Sequence, residues 1–164
     1  MNTEIERKFL SNGYFPYWNY NNSIYYSEAS IRQGYFRTGD IRIRIMNEEI
    51  GFLTIKGERA EASRQEFEYE IPIHDADAML LLFCPNTISK TRYSCKENDV
   101  IWEIDVFHES NEGLVLAEVE LESEDQEIIL PDWVGNEVTN DTRYYNYYLS
   151  KNPYRSWNLG DRYG

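Results

Sequence analysis

Arg42 and Arg44, and Lys90 and Arg92, are two pairs of cations, each with one residue between its members. Glu4 and Glu6, Glu103 and Asp105, and Glu118 and Glu120 are carboxylate pairs with the same spacing. On a β-strand, side chains at i and i+2 point to one face, so each pair draws a short stripe of a single sign. Guanidinium and ammonium groups match phosphate oxygens, the first as a planar fork and the second as a point charge. Clustered carboxylates match hard divalent cations such as Mg²⁺ or Mn²⁺, which in turn bridge phosphates. The two kinds of stripe together describe a site for a metal–polyphosphate complex. Lys8, Arg42, Arg44, Lys56, Arg64, Lys90 and Arg92, seven of the 16 basic residues, fall on such stripes in a chain of net charge −13.

Taken alone, Glu4, Glu6 and Lys8 would be an ordinary solvated edge, so the elements that carry the stripes decide the matter. Strand-like alternation recurs at the N-terminus and at 31–36, 40–46, 50–56, 64–71, 87–94, 100–108 and 113–122, which makes eight strands. Ile41, Ile43 and Ile45 oppose Arg42 and Arg44 within one of them, and Trp102, Ile104 and Val106 oppose Glu103 and Asp105 in another. Turn residues at 47–49 and 98–99 make neighbours antiparallel. The clearest helix is 75–83, capped by Asp75 and closed by Pro85-Asn86; a short one is expected over 123–129, and another from Asn140 or Asp141 to Leu149. Residues 13–26, aromatic and rich in Asn, read as a loop or short helix covering one end.

Sheets with charged faces normally turn them to solvent. Here the charges are sorted by sign along the strands, which random surface patterning does not produce. A mainly β (α+β) fold satisfies the pattern: an eight-stranded antiparallel β-barrel tunnel with a charged lumen and a few helices covering its apolar outside. With 164 residues and 41% apolar composition the chain is expected to form one domain over 1–150, followed by a tail over 151–164. The strong negative charge argues against nucleic acid and against an anionic membrane surface as partners. The sequence MNTEIERKFL leads us to expect no secretory leader, no apolar run reaches spanning length, and Cys84 and Cys95 lack both disulfide-framework and metal-ligand spacing, so a cytoplasmic location is expected. His74 and His108 read as structural.

The ordered set of motifs resembles the CYTH, or triphosphate tunnel metalloenzyme, superfamily. Glu4-x-Glu6-x-Lys8 is similar to its ExExK signature. After it come Arg42-x-Arg44, Thr54-Ile-Lys56-Gly57, Arg64-x-Glu66-Phe-Glu68, Lys90-x-Arg92-Tyr93, Glu103-x-Asp105-x-Phe107 and Ala117-Glu118-x-Glu120. Val138-Thr139-x-Asp141-x-Arg143-Tyr144 resembles the family's C-terminal helix, and the likeness runs from about residue 2 to 150, closest to the short bacterial branch. The resemblance implies that Glu4, Glu6, Glu118 and Glu120 hold a metal, with Glu68 and Asp105 in support. It further implies that Lys8, Arg42, Arg44, Lys56, Arg64, Lys90, Arg92 and Arg143 contact the phosphate chain. Short members often carry a C-terminal lysine where this chain has Asn136 or Thr142, and Arg143 is the basic residue placed to substitute.

The activity expected from this set is Mg²⁺- or Mn²⁺-dependent hydrolysis of a linear triphosphate, inorganic tripolyphosphate being favoured, with release of orthophosphate. A class IV-type adenylate cyclase, or a thiamine or nucleoside triphosphatase, would use the same tunnel. Tyr14, Tyr17, Trp18, Tyr25 and Tyr26 are the aromatics available for a base, although they also suit cover packing. A non-catalytic polyphosphate- or nucleotide-binding module would need only the basic stripes.

Overall fold

A computed structural model describes residues 5–11, 24–58 and 65–162 of the chain. The described residues form one nine-stranded antiparallel sheet: β1 (Ile5–Ser11), β2 (Ile24–Tyr35), β3 (Ile41–Met46), β4 (Ile50–Lys56), β5 (Glu66–Ile71), β6 (Thr87–Glu97), β7 (Val100–Phe107), β8 (Val115–Leu121) and β9 (Val134–Glu137). Their spatial order is β5-β4-β3-β2-β6-β7-β8-β1-β9. All eight expected strands are present. β9 is additional, and β2 begins at Ile24, inside the stretch read as a covering loop. Tyr14, Tyr17 and Trp18, and the side chains of Tyr25 and Tyr26, lie outside the described residues.

Local chemistry sets the pairings. Asn47 and Glu48 (φ 55° and 55°) and Asn98 and Asp99 (φ 51° and 64°) take the left-handed values of a type I′ turn, whose twist matches that of the strands it joins. The Asn47 side chain also accepts from the Ser30 N–H at 2.9 Å, tying the β3–β4 turn to β2. β5 and β9 are the two ends of the ladder, so the strands curl without closing among the described residues. The curl is strong enough that Glu118 on β8 acts electrostatically on Tyr35 on β2, and Arg92 on β6 on Arg44 on β3.

The outer face carries the apolar half of each alternation, and two covers bury it. Helix α1 (Ile73–Phe83) lays Ala76 and Leu80 on Ile43 and Ile45. It approaches closely because Gly34 and Gly51 stand beneath it: a Cβ at Gly51 would sit 2.7 Å from Ala76 Cβ, and one at Gly34 2.7 Å from Cys84 Cβ. The helix starts two residues earlier than expected. Pro72 occupies the N-cap and its carbonyl accepts from the Asp75 and Ala76 N–H groups, both at 3.0 Å, which leaves Asp75 in the first turn. There its charge favours the helix N-terminus without capping it.

The second cover does not form the expected helix over 123–129. The Glu122 N–H donates to Gln126 Oε1 at 2.7 Å and the Gln126 N–H to the Ser123 carbonyl at 3.2 Å, a local turn that competes with a helix. The chain then runs on so that Ile128 and Trp133 pack on Phe9, Trp102 and Val119.

The C-terminal segment closes one end of the inner face. The expected helix is two short pieces, a 3₁₀ turn at Thr142–Tyr144 and α2 (Asn146–Lys151), broken at Tyr145, whose backbone is extended. Asp141 caps the first by accepting from the Arg143 N–H at 3.1 Å. Tyr144 and Leu149, both 0% exposed, seal against Ile88, Phe107 and Leu116 of the sheet. The stretch after Lys151 is packed as well: Tyr154 is buried in that cluster, its N–H bonded to Asn111 Oδ1 at 2.8 Å, and Trp157 packs against it. Among the described residues no helix is long and apolar enough to cross a membrane.

Candidate active site

The strand registers put the charged stripes side by side on the inner face. Arg92 stands opposite Asp105 and Lys90 opposite Phe107 across β6–β7, while Arg42 stands opposite Thr54 and Tyr35. At the centre, Asp105 (2% exposed) is clamped by two cations. Lys90 Nζ donates to Oδ2 at 2.7 Å; Arg92 Nε donates to Oδ1 at 2.7 Å and Nη2 to Oδ2 at 2.9 Å. Arg92 Nη1 also pairs with Glu103 at 2.6 Å. The Lys90 ammonium, fully buried, rests 5.4 Å from the Phe107 ring centroid and donates to Asn146 Oδ1 at 3.1 Å.

These contacts set the charge states. Burial opposes ionisation of Asp105, but Lys90 and Arg92 overcome it and hold the carboxyl well below the usual range. Lys90 is pushed down to about 8: burial is the larger cause, Asp105 opposes it, and Arg92 and Arg44 add repulsion. Lys90 is thus lowered chiefly by its burial, while Asp105 is lowered by the two cations that donate to it. Arg92 is raised above its ordinary value because its hydrogen bonds and charge pairing with Asp105, and Glu103, outweigh burial.

On the β2–β5 side, Arg42 Nη2 donates to Thr54 Oγ1 and to Glu68 Oε2, each at 3.2 Å, and Lys56 pairs with Glu66 at 3.6 Å. Arg42 Nε is buried without a hydrogen-bond partner among the described residues. Arg44 is pushed down to about 10 by burial and by repulsion from Arg42 and Arg92. Its Nε donates to Gln33 Oε1 at 2.9 Å. An orphaned guanidinium nitrogen beside two mutually repelling arginines is the chemistry of an anion site.

The carboxylate side lies across β1 and β8. Glu6 is directly opposite Glu120, Lys8 opposite Glu118, and Glu118 opposite Glu103. The buried Lys8 reaches Glu118 at 3.4 Å and the Tyr144 carbonyl at 3.4 Å, with the Tyr145 ring centroid 5.0 Å away. Like charges paired across strands are unfavourable unless a cation joins them, and oxygen donors of this kind suit a hard divalent ion. Among the described residues no three Asp, Glu, His or Cys side chains stand at metal-holding distance.

The sequence-expected residues therefore separate. Lys8, Arg42, Arg44, Lys56, Lys90, Arg92, Glu6, Glu68, Glu103, Asp105, Glu118 and Glu120 share the inner face. Glu4 and Arg64 lie outside the described residues. Glu68 and Asp105 are engaged by Arg42 with Thr54 and by Lys90 with Arg92, respectively. Arg143 is turned elsewhere: it chelates Asp141, Nη2 to Oδ2 at 2.6 Å, and lies 5.4 Å from the Trp157 ring centroid. Gln33, Tyr35, Asn146 and the Tyr144 carbonyl are site groups that charge patterns do not reveal. For Gln33 and Tyr35 the sequence holds a signal, since their i, i+2 spacing puts both on one face of β2, the face opposite Arg44 and Arg42.

The sequence profile of the CYTH domain matches residues 2–151. An inorganic triphosphatase of Acetivibrio thermocellus is 41% identical over 161 residues, 96% of this chain and 99% of that protein. An inorganic triphosphatase of Nitrosomonas europaea is 39% identical over 151 residues, 88% of this chain and 94% of that one. A crystal structure of an inorganic triphosphatase superposes with a TM-score of 0.68 at 36% identity, covering 92% of this chain and 95% of the other. On its motifs, its sheet and these likenesses, the chain belongs to the CYTH domain family.

Proposed function

We propose that this chain hydrolyses a linear triphosphate, inorganic tripolyphosphate above all, to orthophosphate and pyrophosphate with the help of Mg²⁺ or Mn²⁺. The observation that carries the reading is the juxtaposition on one curled face of the Arg42–Arg44 pair, with its orphaned Nε, and the facing carboxylates Glu6 and Glu120. The activity named for relatives about 40% identical along nearly their whole length supports it.

Glu6, Glu118 and Glu120 would hold the divalent ion through their carboxylate oxygens, joined, from its sequence spacing, by Glu4. A bound ion would neutralise phosphoryl charge and lower the pKa of an attacking water. Arg42 and Arg44 bind and orient the phosphate chain through forked donors. Lys8 and Arg92 place positive charge where the transferring and leaving groups gain negative charge, the main protein contribution to phosphoryl transfer. Asp105 holds Arg92 and Lys90 in position. The apolar wall of Ile88, Phe107 and Leu116 under Tyr144 keeps water out of that end.

Phosphate release from tripolyphosphate, ATP and thiamine triphosphate, each with Mg²⁺, Mn²⁺ or EDTA, tests the reading. Metal-dependent release from tripolyphosphate well above the other two is expected. Cyclic AMP with pyrophosphate from ATP would point to a cyclase, and tight binding without turnover to a binding module. Glu6→Gln and Glu120→Gln should each abolish metal-dependent turnover while keeping the fold; near-parental rates would refute the metal assignment.

A further inference from the structure

Lys8, Arg42, Lys56, Lys90 and Arg92 each have a carboxylate within ion-pair distance: Glu118, Glu68, Glu66, Asp105 and Asp105 in turn. Arg44 does not. Among the described residues its one side-chain hydrogen bond is to a neutral group, Gln33 Oε1 at 2.9 Å. Gln33 is 0% exposed and stands directly across from Arg44 in the β2–β3 register. Its Nε2 in turn donates to Tyr35 Oη at 3.4 Å. The two contacts fix the amide, oxygen toward the guanidinium and nitrogen toward the phenol. Among the described residues only Nε of Arg44 is taken, so the two terminal nitrogens keep the fork that grips a phosphate.

Both ends of this buried amide are hydrogen-bonded, so its burial is compensated, and it differs from a carboxylate at the same place in carrying no charge. Glutamate is isosteric with glutamine and would make the same hydrogen bond more strongly, and other lumen cations have such a partner. It would also cancel the charge of Arg44, so an incoming anion would compete with an internal counter-ion. We propose that Gln33 is the positioning residue that sets the lumen's affinity for its substrate: it aims Arg44 without neutralising it. The proposal rests on the reading of the lumen as a triphosphate site and names the residue that tunes it.

The test compares Q33E and Q33M in the full chain. Three quantities are measured: the tripolyphosphate dissociation constant by calorimetry in EDTA, kcat and KM with Mg²⁺, and the melting temperature. Q33E keeps the hydrogen bond and removes the net charge, so it should weaken tripolyphosphate binding by about ten- to hundredfold and raise KM in step, with no loss of melting temperature. Q33M keeps the charge and loses the aim, so it should weaken binding less than Q33E and lower kcat. A merely structural amide predicts the opposite order, because Met discards the hydrogen bond that Glu retains. Parental binding by Q33E, or weaker binding by Q33M than by Q33E, overturns the proposal. Should Q33E not fold, unchanged kcat and KM in Q33M overturn it equally. If the parent chain itself neither binds nor cleaves tripolyphosphate, the functional reading falls first; if the parent cleaves it and only the order of the variants is reversed, the assignment of Gln33 alone falls.

Discussion

Replacing Asp105 with Asn should destabilise the protein severely before any substrate or metal is added. The carboxylate receives three charge-assisted hydrogen bonds, one from Lys90 at 2.7 Å and two from Arg92 at 2.7 and 2.9 Å. The Lys90 side chain is 0% exposed, so water cannot replace the lost counter-charge. Breaking a buried pair by removing one partner costs roughly 3–5 kcal/mol. At about 2–4 °C per kcal/mol for a chain of this size, the melting temperature should fall by roughly 6–20 °C. The pH dependence follows with a definite sign. The folded carboxyl is held below its unfolded value, so its contribution is complete above about pH 4 and is lost as the pH falls below it. The gap between parent and D105N should therefore narrow in acid. Thermal unfolding followed by circular dichroism in EDTA, with and without added Mg²⁺, is the assay. If Asp105 instead served mainly as a metal ligand, the stripped variant would melt with the parent and lose only the Mg²⁺-dependent increment. A shift under about 2 °C in EDTA would sink the argument.

Three other perturbations probe different parts of the molecule. Arg143→Ala should leave KM unchanged and cost about 1 kcal/mol of stability, because Arg143 bonds Asp141 and lies over Trp157; a raised KM would return it to the phosphate site. Gly51→Ala places a methyl group 2.7 Å from Ala76 Cβ and 3.1 Å from the Ile71 carbonyl oxygen, and should cost about 1–3 kcal/mol by pushing α1 off the sheet; an unchanged denaturation midpoint would contradict that close approach. Cys84 and Cys95 are buried, and burial pushes both thiols up to about 11, so neither should react with a disulfide reagent at pH 8 until the protein unfolds. Rapid titration of either thiol in the native state would show that cover to be open.

The alternation of Ile41, Ile43 and Ile45 with Arg42 and Arg44 was enough to say that one face is apolar and the other cationic, because strand geometry leaves no third option. The sorting of the charges by sign along the strands pointed the cationic face inward. What covers the apolar face was not legible, because α1 sits on Gly34 and Gly51, and a glycine's role as a seat is invisible until its neighbour is known. The helix expected over 123–129 does not form for a related reason: Ser123 looks like an N-cap in isolation, while the Glu122 N–H donating to Gln126 Oε1 diverts the backbone. The C-terminal helix was legible as a cap at Asp141 and not as a break at Tyr145.

The same division runs through the site. Sign and spacing place a residue on a stripe, but what a charge does depends on its partner across the sheet, and pairing register is not written locally. Asp105 shows the consequence. By motif it belongs with the carboxylates that hold a cation from solution; by register it faces Arg92, and both its oxygens are already spent on cations of the protein itself. Glu6 and Glu120 have the same side-chain chemistry, and register sets each opposite another carboxylate. Register thus separates a carboxylate that faces an arginine from carboxylates that face one another. Arg44 completes the contrast from the cationic side: its hydrogen-bond partner among the described residues is the neutral amide of Gln33, which leaves its charge uncancelled.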